Sequence, residues 1–383
     1  MEKEFNTEIE QDIVDETEHI DTDGNITTPF STKDIKVTNK IEIMSNLIKR
    51  LEFDEIDLNP DFQRNPDLWK RKKMSRLIES ILLKLPLPVF YFDVSDPDKW
   101  IVVDGLQRLS TIKKFIVDKK LRLSELEFLT TLEGKKYDDL DRNLKRVIDE
   151  TEFVTYQIEA QTPKEVRYSI FNRINTGGLS LNSQEIRQAL NQKGKSVECL
   201  KNICENEIFK KVVSISPERM LDRELALRFI AFKLSSYKDF KYRDMQNFLD
   251  TTMERLDSIS DEKILNDIKQ QLFDSLEFSQ KVLGENHRFS RSIAFENNTK
   301  TLNRSLFDVI TICFSEIENK ELFLERKELF LEKFKELLKD EKSEFSRAIT
   351  EGTSSKSAID TRFDVMKNLI NEVINAKNWK SWY

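Results

Sequence analysis

The stretch Trp100-Ile101-Val102-Val103-Asp104-Gly105-Leu106-Gln107-Arg108-Leu109-Ser110-Thr111-Ile112 turns an apolar, β-type run into one with helical spacing through a single Asp-Gly step. A strand that delivers Gly and polar side chains into a helix start is a common way to build an anion site. Gly lets the backbone approach closely, and the N–H groups of a first helical turn attract phosphate. Arg108 would add a bidentate guanidinium contact. The plainer reading is a strand–turn–helix corner in which Asp104 caps the helix and Arg108 is solvated or paired. The spacing alone leaves both open.

Working outward, Val89–Val94 reads as a strand, and Ser95-Asp96-Pro97-Asp98 turns it into the Trp100–Val103 strand as a hairpin. The helix after Arg108 is expected over about 109–118. Leu85-Pro86-Leu87-Pro88 closes an amphipathic helix over 67–85 whose apolar face is Leu77, Ile78, Ile81, Leu82 and Leu85. Its first part is basic, with Lys70, Arg71, Lys72, Lys73 and Arg76. Cations at a helix N-terminus oppose the macrodipole, which suggests a nearby anion, although a solvated face is the commoner cause. Before it, Asn59-Pro60-Asp61-Phe62-Gln63-Arg64-Asn65-Pro66 is a turn-rich loop. Residues 34–51 place Ile41, Met44, Leu47, Ile48 and Leu51 at helical spacing, and Phe53–Leu58 reads as extended.

Downstream, residues 121–150 read as short helical pieces around Gly134, and Phe153–Ile158 as a strand. Pro163 opens a helix to about Arg173. Asn175-Thr176-Gly177-Gly178 interrupts it, and Asn182 with Glu185 forms a capping-box pattern at the next helix. The junction gathers Arg173, Asn175 and Thr176; its plainer reading is a helix-terminating turn. Beyond residue 190 the pattern is helical: Val197–Val213, Pro217–Leu234, Tyr242–Leu256, Glu262–Leu283, Thr299–Ile317, Leu322–Leu338 and about 358–377, with Trp379, Trp382 and Tyr383 as candidate pins of the C-terminus.

Composition agrees. The 383 residues include 8 Gly, 8 Pro and 26 Phe, with 34% charged residues, which favours a helix-rich protein with aromatic core anchors. The net charge of −7 is uneven: residues 1–29 hold ten acids against Lys3 alone, so the remainder is slightly basic and nucleic acid stays open as a partner. Residues 1–33 are read as a disordered acidic tail, solubilising or autoinhibitory. Three cysteines and two histidines at unrelated positions speak against a structural zinc site, and His287 reads as structural. There is no apolar leader and no long apolar run, so a cytoplasmic protein without membrane insertion is expected.

The chain has no Walker pattern, Rossmann glycine fingerprint, His-Glu-x-x-His or nucleophile elbow. Four ordered motifs do carry a resemblance: the Asn59–Pro66 loop followed by Trp69, the Arg76-Leu-Ile-Glu-Ser-Ile-Leu-Leu-Lys-Leu-Pro-Leu-Pro run, Val103-Asp-Gly-Leu-Gln-Arg-Leu-Ser-Thr-Ile, and Phe171-Asn-Arg-Ile-Asn-Thr-Gly-Gly-Leu-Ser-Leu-Asn-Ser-Gln-Glu-Ile. Over about residues 40–190 the chain resembles the DUF262 family, relatives of the amino-terminal half of GmrSD-type restriction enzymes.

The resemblance implies an α+β fold: a ParB/sulfiredoxin-like domain with a small mixed sheet over 34–190, then a large all-helical domain over 191–383. It implies a bacterial anti-phage defence or restriction-type protein with a nucleoside triphosphate site, acting on or sensing DNA. The family's Asp-Gly-Gln-Gln-Arg motif carries over to Asp104, Gly105, Gln107 and Arg108 as catalytic and phosphate-binding residues, with Asp104 holding Mg²⁺ or orienting water. Leu106 stands where the family often has its first Gln, which separates binding from hydrolysis. Gln63 and Arg64 would form one wall of the nucleotide site, and Arg173, Asn175 and Thr176 the other. The basic residues Lys70, Arg71, Lys72, Lys73 and Arg76 are the DNA-binding candidates. With two histidines, the chain reads as a stand-alone member without a His-Asn-His nuclease domain, so a nuclease or other effector protein is an expected partner and an oligomer is open to it. The rival readings are a non-catalytic DNA-binding sensor and a regulatory or scaffold subunit, because fold does not fix function.

Overall fold

The computed structural model describes residues 35–58, 69–174, 182–191, 194–215, 220–242, 244–284, 289–295 and 301–376. They fall into two compact units, one within 25–190 and the other within 191–383. The acidic tail, Pro217, His287, Trp379, Trp382 and Tyr383 lie outside the described residues.

The first unit is built on a five-stranded mixed sheet in the order β1-β5-β3-β4-β2. Strand β1 (Val37–Ile43) runs into helix α1 (Met44–Glu52), and β2 (Ile56–Asp57) follows. Helix α2 (Arg71–Leu82) precedes the hairpin of β3 (Phe90–Asp93) and β4 (Trp100–Asp104). Helix α3 (Leu106–Ile112) continues as a π-helical turn to Val117. Two 3₁₀ turns lead to α4 (Arg142–Asp149), β5 (Glu152–Ile158), α5 (Lys164–Ile174) and α6 (Ser183–Leu190). β3 pairs antiparallel with β4 and parallel with β5, while β1 pairs antiparallel with β5.

The α+β expectation holds, and so do the hairpin, the helix after Pro163 and the Asn182 start. The 34–51 helix is a correction. Its first part is the β1 strand, and the helix begins only at Met44. Val37-Thr38-Asn39-Lys40-Ile41-Glu42-Ile43 alternates with period two, as a strand does. Ile41, counted into the helical face, is in fact 72% exposed. The helix after Arg108 also begins earlier than expected, at Leu106. The loop between the β-branched strand and the helix is one residue long, so spacing from Leu109 onward missed its first turn.

One sheet face carries the core. Phe90, Phe92, Trp100, Val102 and Phe153 meet Met44, Leu47, Ile48 and Leu51 of α1 and Leu77, Ile78, Ile81 and Leu82 of α2. Phe90 packs edge-on to Phe153 at 5.3 Å, and Phe92 against Trp100 at 5.4 Å. Glu79 is buried with this face, yet it is satisfied: its carboxylate accepts the backbone N–H groups of Glu127, Phe128 and Leu129 at 2.8–3.1 Å. Burial pushes the Glu79 pKa up, but those N–H donors outweigh it and hold the carboxyl below its ordinary value. This anchor fixes the loop after α3 to the middle of α2.

The second unit is all helical: α7 (Lys195–Glu205), α8 (Glu207–Val213), α9 (Leu221–Leu234), α10 (Met245–Ser258), α11 (Glu262–Leu283), α12 (Arg304–Ser315), α13 (Lys320–Glu325), α14 (Lys327–Lys339), α15 (Glu344–Ala348) and α16 (Lys356–Asn375). Every residue from Ser305 to Phe314 is buried, so α12 is the central helix. Two runs expected as single helices are split. Asn206 ends α7 and caps α8, accepting from Ile208 N–H and Phe209 N–H, and Arg326 separates α13 from α14. Periodicity carries across both breaks because the apolar face continues. Six of the phenylalanines (Phe278, Phe314, Phe323, Phe330, Phe334, Phe345) form a chain of ring contacts at 5.2–6.3 Å. The same unit holds a buried ionic cluster, in which Asp308 takes Arg228 at 2.7 and 2.9 Å and Arg362 at 3.4 Å. The three cysteines are buried, and burial raises their thiol pKa values.

Candidate functional site

Asp104 ends β4, and Gly105 starts α3 at φ +108°. Gly105 has two local reasons to be glycine. Its φ lies in the left-handed region. A Cβ there would also sit 2.5 Å from Cδ1 of the fully buried Phe90 ring. No side chain caps the α3 N-terminus, and its first turn holds no acid.

Arg108 is 8% exposed. Its guanidinium donates to the Pro88 carbonyl, to the Val89 carbonyl at 3.0 Å and to Asp104 Oδ2 at 2.8 Å, and it lies 4.3 Å from the Phe90 ring centre. Burial pushes its pKa down, and the Asp104 charge opposes that; a guanidinium stays protonated regardless. The arginine therefore ties the segment before β3 to the first turn of α3 and orients Asp104. The Asp104 side chain remains 46% exposed. Gln107 is half-buried on the same turn.

The register extends this turn across the sheet. Asp104 is the cross-strand partner of Tyr91, and Tyr91 is the partner of Tyr156 on β5. The two tyrosine rings stack at 5.2 Å with 13° between their planes, and both are half-buried. Cross-strand partners share a face, so Tyr91 and Tyr156 lie on the face opposite the phenylalanine core, and a register shift between Tyr91 and Phe92 sets Asp104 across from Tyr91 at the end of β4. Two residues along β3, buried Asp93 accepts Ser95 N–H at 2.9 Å and Arg167 Nη1 at 3.4 Å, and Arg167 also donates to Ser95 Oγ at 2.7 Å. This pins α5 to the end of β3. Sequence reading missed both features, because their partners lie 65 and 74 positions apart; the β-branched and aromatic run 89–94 and the alternation of 153–158 were the available signals.

α5 also packs on β4 and carries Arg173, exposed, in its last turn. Gln63, Arg64, Asn175 and Thr176 lie outside the described residues. The Asn182 capping box is complete: Asn182 N–H donates to Glu185 Oε2 at 2.6 Å, and Glu185 N–H to Asn182 Oδ1 at 2.9 Å. Gln184, Glu185, Arg187 and Gln188 of α6 are all buried. Such a concentration of buried polar groups on one helix is costly unless they are bonded, and Arg187 donates to Gln184 Oε1 at 3.1 Å.

The five basic residues lie on the solvent face of α2. Lys70 occupies its N-cap position with no side-chain cap. Lys72 pairs with Glu125 at 3.0 Å, Arg76 with Glu127 at 3.3 Å, and Lys73 lies over Trp69 at 4.2 Å. The loop held by Glu79 thus returns two acids to the basic face. Among the described residues, no cluster of three His, Cys, Asp or Glu is placed to hold a metal ion, and no helix is long and apolar enough to cross a membrane.

Residues 42–192 match the family model described as the N-terminal domain of GmrSD restriction endonuclease. No curated protein and no solved structure matches the chain.

Proposed function

We propose, from the premise that residues 42–192 are a GmrSD-type N-terminal domain, that the chain is a restriction-type, anti-phage defence component binding a nucleoside triphosphate at the Asp104–Arg108 turn. The observation that carries this reading is the half-exposed Asp104 carboxylate set directly before an uncapped helix start entered through a left-handed glycine. N–H groups of a first helical turn suit phosphate oxygens. Gln107, half-buried on the same turn, would contact phosphate or orient water through its neutral side chain. Arg108 acts as a positioning residue, because its hydrogen bonds go to Pro88, Val89 and Asp104. Tyr91 and Tyr156 offer an aromatic platform beside the turn.

Among the described residues no group of three His, Cys, Asp or Glu could hold a metal ion, so Asp104 belongs to no such protein-built cage. Mg²⁺ typically takes one or two carboxylates together with phosphate oxygens and water. Asp104 would hold an ion delivered on the nucleotide, and that ion would supply neutralisation of phosphate charge there.

The test is titration of labelled ATP, GTP and CTP, each with Mg²⁺, against the full chain and its Asp104→Asn and Gln107→Ala variants. We expect one triphosphate to bind and both variants to weaken it by about tenfold or more, the loss of one charge-assisted contact. Unchanged affinity in both would overturn the assignment. A second reading, a non-catalytic DNA sensor, is favoured by the exposed cations of α2. It expects steep salt dependence of DNA binding, lessened by about 0.9 in log–log slope for each phosphate contact removed, with no nucleotide turnover.

A further inference from the structure

Strand β1 is an edge of the sheet, and its composition is unusual for an edge. Ile35, Val37, Ile41 and Ile43 are 36%, 37%, 72% and 40% exposed, and Val154, the β5 partner of Ile41, is 37% exposed. They lie on one face, at odd positions, and Asn39 interrupts this apolar row between Val37 and Ile41. Scattered exposed apolar residues need no explanation, but four on one face of a sheet edge that no other described strand pairs do.

Lys36 O accepts Glu159 N–H at 2.9 Å, and Met44 N–H donates to Thr151 O at 2.9 Å. Alternate residues bond to the same side in an antiparallel ladder. Even-numbered residues therefore bond toward β5, and Val37, Asn39 and Ile41 direct their N–H and C=O groups outward. About Asn39 in the segment Ile35-Lys36-Val37-Thr38-Asn39-Lys40-Ile41-Glu42-Ile43, the apolar residues 35 and 37 mirror 43 and 41, and Lys36 mirrors the opposite charge of Glu42.

We infer that β1 is the interface for a second copy of this chain, pairing antiparallel about a two-fold axis at Asn39. In that register Ile35 faces the partner copy's residue 43, Val37 its residue 41 and Lys36 its residue 42, each contact occurring twice. Apolar groups meet apolar groups, the lysine meets a glutamate, and the outward backbone groups of odd residues meet their like. Centring one position later, on Lys40, would oppose two lysines across the axis. Centring on Ile41 would leave Ile35 and Val37 outside the paired strand. Charge complementarity and length thus select one register. An isologous pairing of this kind closes on itself and ends the edge.

Sedimentation of the full chain over a concentration series tests this, with Ile41→Lys, Lys36→Glu and Glu42→Lys. The wild type is expected to dimerise. Ile41→Lys should raise the dimer Kd by about tenfold or more while leaving the circular dichroism melt of the dilute protein in place, since that side chain is mostly exposed. Lys36→Glu and Glu42→Lys should each self-associate less, by a few-fold for exposed pairs. Mixing the two should restore dimers, because every facing pair then has opposite charge. A monomeric wild type, an Ile41→Lys dimer of unchanged affinity, or a mixture with no preference for the mixed dimer would each overturn the proposal.

Discussion

Replacing Gly105 with Ala tests why the Asp-Gly step has its form. At φ +108° an L-residue pays about 1–2 kcal/mol for a left-handed backbone. The added Cβ would lie 2.5 and 3.0 Å from Cδ1 and Cε1 of Phe90. That ring is fully buried, held edge-on by Phe153 at 5.3 Å and covered by the Arg108 guanidinium at 4.3 Å, so it cannot swing aside without disturbing both. Overpacking of this kind costs about 1–3 kcal/mol. Gly134 supplies the control, with φ +75° and nothing within 4 Å of an added methyl group. Gly134→Ala carries the backbone cost alone, and the gain from a stiffer unfolded chain is common to both. Gly105→Ala is therefore expected to be less stable than Gly134→Ala by about 1–3 kcal/mol. Urea unfolding of the full chain followed by tryptophan fluorescence reads this, since Trp100 lies in the same core. Equal stability of the two variants to within about 0.5 kcal/mol would refute the packing argument and leave ligand approach as the reason for the glycine.

Two further outcomes follow from buried charge. Glu79→Gln should destabilise the first unit at neutral pH by about 1–3 kcal/mol, because the N–H groups of 127–129 lose an anionic acceptor. The folded Glu79 pKa is depressed, so its contribution is full above the ordinary glutamate range and disappears as pH falls through the folded value. Urea midpoints of wild type and variant should accordingly converge on acidification; a constant gap would contradict the carboxylate role. Asp308→Ala leaves Arg228 and Arg362 without their shared carboxylate inside the helical unit. A loss of about 3–5 kcal/mol is expected in thermal or urea unfolding, and a loss below about 1 kcal/mol would mean that other groups balance the arginines.

What could be read from the sequence alone follows the range of each signal. The Asn182 capping box is a four-residue signal, and it is present as read. The β3–β4 hairpin needed only two runs of β-branched and aromatic residues and a Ser-Asp-Pro-Asp turn. The β1–α1 junction misled because Ile41, Met44, Leu47 and Leu51 keep helical spacing across a change of period. For the site, Asp104, Gly105, Gln107 and Arg108 are contiguous, so their grouping was legible. What Arg108 does there was not. Its carbonyl partners lie 19 and 20 positions upstream, and only the closed hairpin brings them under the guanidinium. The Tyr91–Tyr156 stack depends on parallel pairing of β3 with β5, a contact that no local pattern encodes.

The most direct measurement of the central claim is hydrogen exchange of the full chain, read by mass spectrometry with and without Mg²⁺–triphosphate. Slowed exchange is predicted in the peptide spanning residues 100–112, reflecting protection of the first-turn N–H groups of α3, with loss of that protection in Asp104→Asn. Nucleotide binding that protects other peptides and leaves 100–112 unchanged would contradict it.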